Sequence, residues 1–232
     1  MSASFEWNGV SSSSYGIHVL TQPQLVRPLE RHKYTNVPGR NGSLVTTEGE
    51  DVYDDVLLTV ECWVKDTGRI PEICAWLKGG GKIKFSTRPG GFWYGRVNNQ
   101  ISFEKLLREN AHRSFSIVFR CKPFWYKDNV SDIEITRSTS EVTNPGTVYS
   151  EPLVKVYGSG EITLMVGQHI TELVDVDESI TLDSELQEAW KNDESQNSCV
   201  SGDFPLLKPG FNAVSWSGDV TKVVITPRWR YL

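Results

Sequence analysis

The residues best equipped for chemistry in this chain are four histidines, four cysteines and a band of carboxylates near its C-terminus. His18, His32, His112 and His169 are scattered, with no HExxH pair and no neighbouring cysteine cluster, so metal-ligand spacing is absent. His112 falls in the polar register of a strand-like run, where a solvated or hydrogen-bonded imidazole is expected. Cys62, Cys74, Cys121 and Cys199 form no CxxC pair. Cys62 and Cys121 sit inside apolar alternating runs, where a reduced thiol behaves as a small hydrophobe. Gly79-Gly80-Gly81-Lys82 has the glycines of a phosphate loop. It follows a helical pattern where that motif needs a strand, and Ile83 replaces the required hydroxyl residue. No GxSxG elbow is present. Asp175-Val176-Asp177-Glu178-Ser179 opens like a calcium loop, yet Ile180 stands where the glycine turn belongs and Leu186 where the bidentate glutamate belongs. Asp183, Glu185 and Glu188 could supply a carboxylate pair for glycoside hydrolysis, but acidic residues near a turn are ordinarily solvated. The expectation is a protein with no catalytic residues, no metal and no cofactor.

The aromatic residues carry the more informative pattern. Eight Trp, eight Tyr and nine Phe stand beside two Met, a composition suited to pleated, half-buried surfaces. Phe92-Trp93-Tyr94 are consecutive in an extended run. Successive strand residues face opposite sides, so Trp93 cannot share a face with Phe92 and Tyr94. One aromatic face therefore needs a cover, either a second layer of the same domain or a neighbouring subunit. Arg88, Phe92, Trp93, Tyr94 and Arg96, with Arg40 from an earlier turn, are the candidate subunit-interface residues, since interface centres favour aromatic residues and arginine. Trp216 is a candidate platform for sugar stacking, with core or interface packing as the plainer role.

Strands must position these groups. Val56–Val64 alternates so that Leu58, Val60, Cys62 and Val64 share a face. In 112–121, Phe115, Ile117, Phe119 and Cys121 point inward. Both read as antiparallel strands with one wet face. One helix is predicted over Ile70–Lys78, entered through Asp66 or Thr67, with Pro71 in its first turn and Gly79 at its exit. Ile70, Ile73, Cys74 and Leu77 form its core stripe. The next segment predicts a hairpin with its tip at Pro89-Gly90-Gly91. Ser131–Thr143, rich in Ser, Thr and acids, predicts a hinge. Beyond it, short strands over 153–157, 161–166, 169–174, 179–182, 212–216 and 220–226 are separated by turns such as Gly158-Ser159-Gly160 and Ser217-Gly218-Asp219, the pattern of a β-sandwich.

Composition bounds the rest. The 232 residues suffice for one or two domains with real cores. Residues 1–140 hold 18 Lys+Arg against 15 Asp+Glu, whereas 141–232 hold 6 against 14. That split suits two units in different environments. No basic stripe suggests sequence-specific nucleic-acid binding. No apolar run reaches the roughly 20 residues of a membrane span, and the N-terminal residues lack a signal-peptide pattern, so synthesis in a cytoplasm is expected.

Several ordered motifs resemble the distal tail proteins of long-tailed, non-contractile phages. They begin with Phe5-Glu6-Trp7-Asn8-Gly9-Val10, Ser14-Tyr15-Gly16-Ile17 and Val37-Pro38-Gly39-Arg40-Asn41-Gly42. Tyr53-Asp54-Asp55 is similar to the step before the family's long strand, although a basic residue is common at the position of Asp55. Phe119–Tyr126 resembles the end of the first domain. Asn144-Pro145-Gly146, Val156–Gly160, Ile180–Glu185, Gly202–Leu207, Pro209–Asn212 and Thr226–Arg230 continue the order. The resemblance implies a mostly β fold, with an N-terminal barrel-like domain bearing one α-helix over residues 1–138 and a C-terminal galectin-like β-sandwich over 139–232. It further implies a homo-hexameric ring at the virion tail tip, joining the tail tube protein to the tail-tip protein, with DNA passing through its lumen and a receptor-binding protein as a further partner. The alternative function is a carbohydrate-binding module for host surface glycans. No membrane partner is implied.

Overall fold

The computed structural model of the chain describes residues 3–49, 51–105 and 112–232. These residues are mostly β, with one short α-helix among them. The chain divides into a first unit, Met1–Asp128, and a second, Asn129–Tyr231.

The first unit is built on an antiparallel sheet. Its strands run in the spatial order Val10–Ser11, Phe5–Trp7, Gly80–Phe85, Arg88–Val97, Arg113–Cys121, Val56–Val64 and Ile17–Thr21. The two ends of this path are consecutive in sequence. Val10–Ser11 and Ile17–Thr21 are separated by the single 3-10 turn Ser12–Tyr15 and Gly16. A sheet whose opposite edges are tied so closely must curl toward closure, which gives the barrel-like form. Ser11 caps the 3-10 turn by accepting from the Ser13 N–H, and Gly16 ends it at φ 67°. Inside lie Trp7, Ile83, Ile117 and Phe119, all fully buried. Side chains of that size contribute about 1.5–3 kcal/mol each by leaving water.

The strands over Val56–Val64 and Arg113–Cys121 pair along their whole length, and Phe115, Ile117, Phe119 and Cys121 face inward as the alternation predicts. The helix spans Ile70–Trp76, preceded by a 3-10 turn, Thr67–Arg69, that the Asp66 carboxylate caps. Ile73 and Leu77 enter the core, but Cys74 is exposed. Trp76 takes the place the sequence assigned to that thiol. Its indole stacks on Phe5 and Tyr15, with ring centroids 5.6 and 4.7 Å away.

The hairpin that follows closes four residues earlier than its glycines suggest. Phe85 pairs with Arg88, so Ser86-Thr87 form the tip, and Pro89-Gly90-Gly91 lie inside the second strand. Gly91 is needed there for close approach. A Cβ at that position would fall 2.2 Å from the Trp125 ring.

Among the described residues, His32–Asn36 and Ser43–Thr47 pair only with each other, forming a separate two-stranded arm. The isolated bridge Glu30–Tyr53 closes its base.

The second unit is dominated by two long strands, Leu153–Val166 and Gly210–Thr226. The sequence divides each into two short strands, but they are continuous and sharply bent. The register shifts between Tyr157 and Gly158 and again between Ser159 and Thr163. Two of the glycines read as turns instead let the bent backbones touch. A Cβ on Gly158 would stand 2.2 Å from the Asp219 carbonyl, and one on Gly218 (φ 98°) 2.3 Å from that of Glu161. Before the bend, Leu153–Tyr157 pairs with Ser179–Asp183; after it, Ile162–Val166 pairs with His169–Leu173. One curled sheet thus encloses a core of Val154, Val156, Leu164, Leu182, Val214, Val223 and Ile225. The segment Ile133–Ile135 pairs with Val223–Ile225, and Ile135 is buried in this core. Residues 129–138, which the expected boundary leaves in the first domain, fall within the second unit.

Candidate assembly surfaces

The candidate interface residues of the first unit separate into buried and exposed groups. Phe92 and Trp93 are each only 6% exposed, on opposite faces of one strand. Trp93 enters the barrel core against Phe85 and Trp125, at 5.8 and 6.5 Å between centroids. On the other face Phe92 is flanked by Tyr126 of Trp125–Lys127, a strand that pairs alongside this one, and the Lys82 side chain lies over its ring, its Nζ 4.5 Å from the centroid. The Phe92 and Tyr126 rings stack at 5.7 Å, and Tyr94 meets both edge-on at 5.0 Å. The cover demanded by three consecutive aromatics comes from within the same unit. Arg88 lies over Trp93 and Trp125, at 5.3 and 4.7 Å from their centroids. Burial there lowers its pKa from the ordinary arginine value.

Tyr94, Arg96 and Arg40 remain at the surface. Tyr94 is half-buried and Arg96 exposed, beside a concave groove of about 520 Å³ with Arg120, Lys122 and Gly80 in its lining. Arg40 is exposed in the tip of the arm, where its N–H donates to the Val37 carbonyl at 3.1 Å.

The arm is the feature that the strand patterns did not disclose. Its residues are exposed on both faces, including Tyr34 at 66%, Val45 at 51% and Leu44 at 44%. The chain leading into it exposes Leu25, Val26 and Leu29. A lone two-stranded hairpin is marginal in water, and exposed apolar side chains on such an arm are a feature of interaction sites.

In the second unit, Trp216 is half-buried against the core, and its backbone N–H and C=O both bond the Ser138 hydroxyl. Two of the three carboxylates near residue 185, Asp183 and Glu185, are engaged by one arginine. Arg228 donates twice to Asp183, at 2.7 and 2.8 Å, and lies 3.5 Å from Glu185. Burial alone would raise the Asp183 pKa, but the guanidinium and the amides of Glu185 and Leu186 outweigh it and hold it below the ordinary value. A general acid needs the opposite shift. In the calcium-like loop, Asp177 and Glu178 face Lys191 at 2.6 and 3.5 Å. Among the described residues, no group of three or more His, Cys, Asp or Glu is placed to hold a metal ion. None of their helices is long and apolar enough to cross a membrane.

No protein-family model and no curated protein matches the chain. Among solved structures it is similar to the Dit protein of phage SPP1, described as a paradigm of the hub adsorption apparatus in phages that infect Gram-positive bacteria. The two share 17% identity with a TM-score of 0.79, over 100% of both chains. The likeness spans both units, and the chain has the fold of this phage hub protein.

Proposed function

We propose that the chain is a structural hub component of a phage tail tip, without catalytic activity. It assembles as a homo-hexameric ring that joins the tail tube protein to the tail-tip protein. The observation that carries this reading, beside the fold, is the arm of residues 32–47. It exposes Tyr34 and Val45 on one face and Leu44 on the other, and its own unit leaves them uncovered. Ring closure needs two different patches on each subunit, one engaging the other on the next copy. A projecting hairpin seated on a neighbour is a contact of that kind. The second unit offers a separate surface for host-adsorption components such as a receptor-binding protein. Phe211 is 80% exposed there, and Met165 and Ile170 pair on one outer face at 41% and 47%.

Size-exclusion chromatography with light scattering tests the reading on the full chain. The triple variant Tyr34→Ser, Leu44→Ser, Val45→Ser is expected to run as a monomer with unchanged circular dichroism. A variant that keeps the parent's oligomeric mass would remove the arm from the contact.

A further inference from the structure

The groove beside Arg96 carries an inference independent of the ring. Arg96 and Arg120 are cross-strand partners on neighbouring strands. Like charges directly opposite one another destabilise a sheet. Arg120 is relieved by Asp55, whose carboxylate accepts from its Nε at 2.7 Å. Arg96 has no hydrogen-bond or ion-pair partner among the described residues, although it lines the same concavity with Lys122. Gly80 is the cross-strand partner of Arg96 on its other side, and the guanidinium lies beside it. A Cβ on Gly80 would stand in ordinary contact, 3.8 Å, with its terminal nitrogen.

The floor of the groove also ends in open backbone. Phe5–Trp7 pairs along Gly80–Phe85 only as far as Trp7 opposite Ile83. Asn8 then closes the edge at Lys82, its N–H donating to the Lys82 carbonyl at 3.0 Å and its side-chain oxygen accepting from the Lys82 N–H at 2.9 Å. Backbone groups two residues apart point the same way, so the N–H and C=O of Gly80 face outward beyond that closure.

We propose that this groove docks an extended, carboxylate-rich segment of a partner protein, whose backbone meets the strand edge at Gly80 and whose side chain ion-pairs with Arg96. Strand addition at an edge with a side-chain pocket alongside is an established mode of peptide recognition. A polypeptide uses both the donor and the acceptor of the edge. A phosphate backbone uses only donors and leaves the Gly80 carbonyl unmet.

Calorimetric titration of the full chain with blocked hexaglutamate tests this, with inorganic phosphate and a six-nucleotide oligothymidylate as controls. Hexaglutamate is expected to bind, with affinity falling about tenfold or more in Arg96→Gln and further in Arg96→Glu, the loss of one charge-assisted contact. Both variants replace an exposed side chain, and circular dichroism checks that each folds. N-methylation of alternate peptide amides is expected to weaken binding. Absence of hexaglutamate binding, indifference to both Arg96 variants, indifference to N-methylation, or equally tight binding of phosphate or the oligonucleotide would each overturn the proposal.

Discussion

Replacing Arg228 by Leu tests the electrostatic account of the second unit. Asp183 is 4% exposed and receives two guanidinium hydrogen bonds. Removing one partner of a buried pair costs about 3–5 kcal/mol, because the other charge is left uncompensated. Asp183 keeps the N–H groups of Glu185 and Leu186, at 2.9 and 3.3 Å, so the lower end, about 3 kcal/mol, is expected. For a domain of roughly 100 residues, 1 kcal/mol moves Tm by about 4–8 °C, so the transition of the second unit should fall by about 12–24 °C at pH 7. The pH dependence has a defined sign. The folded pKa of Asp183 is depressed, so its pairing contributes above the unfolded carboxylate range and fades as pH falls through the folded value. In Arg228→Leu, burial is left to raise that pKa, and protonation relieves the stranded charge. The deficit should therefore be greatest near neutrality and shrink below about pH 4. Thermal unfolding by circular dichroism at a series of pH values measures both effects. A loss under about 1 kcal/mol, or a deficit that grows in acid, would refute the reasoning.

Three further outcomes are expected. Trp93→Ala should cost the first unit about 3–5 kcal/mol, read by chemical denaturation, because its ring fills a core and leaves a cavity. A stability change within 0.5 kcal/mol, as at an ordinary surface site, would mean the ring is not core. Burial pushes Cys62 and Cys121 up to about 12, so at pH 8 roughly one thiol in 10⁴ is ionised. Iodoacetamide with mass-spectrometric mapping should mark exposed Cys74 first and spare both buried thiols until unfolding, and early labelling of Cys62 would contradict the packing. Residues 141–232 carry 14 acidic against 6 basic residues, so in an assembled ring copies of the second unit repel one another. Moderate salt should raise the oligomer fraction by screening, and a fraction that falls with salt would point instead to ion pairs holding the ring.

The strands that were legible in the sequence are those whose two faces differ. Val56–Val64 and the Phe115–Cys121 register could be read because one face is core and the other wet. The helix was legible from Asp66, Pro71 and its apolar spacing, although Cys74 is exposed and Trp76 packs against the core instead. Local glycine chemistry misled in two places. Gly158-Ser159-Gly160 has the composition of a turn, and only its contact with residues 217–220, some 60 positions away, keeps it inside a bent strand. Pro89-Gly90-Gly91 likewise reads as a tip, whereas the packing of Trp125 over Gly91 decides the outcome. Asp183 is matched by Arg228, 45 residues distant, and no local pattern announces such a pair. The arm has no buried face, so it has no alternation to find. What disclosed its turn was the motif around Arg40, through resemblance and not through periodicity.

Ring formation by the chain is the property on which the proposed hub role depends. Negative-stain electron microscopy with mass photometry of the purified protein is the direct measurement. The account expects six-fold rings with six times the 26.2 kDa chain mass. A protein that stays monomeric at micromolar concentration, or that forms open filaments instead of closed rings, would contradict it.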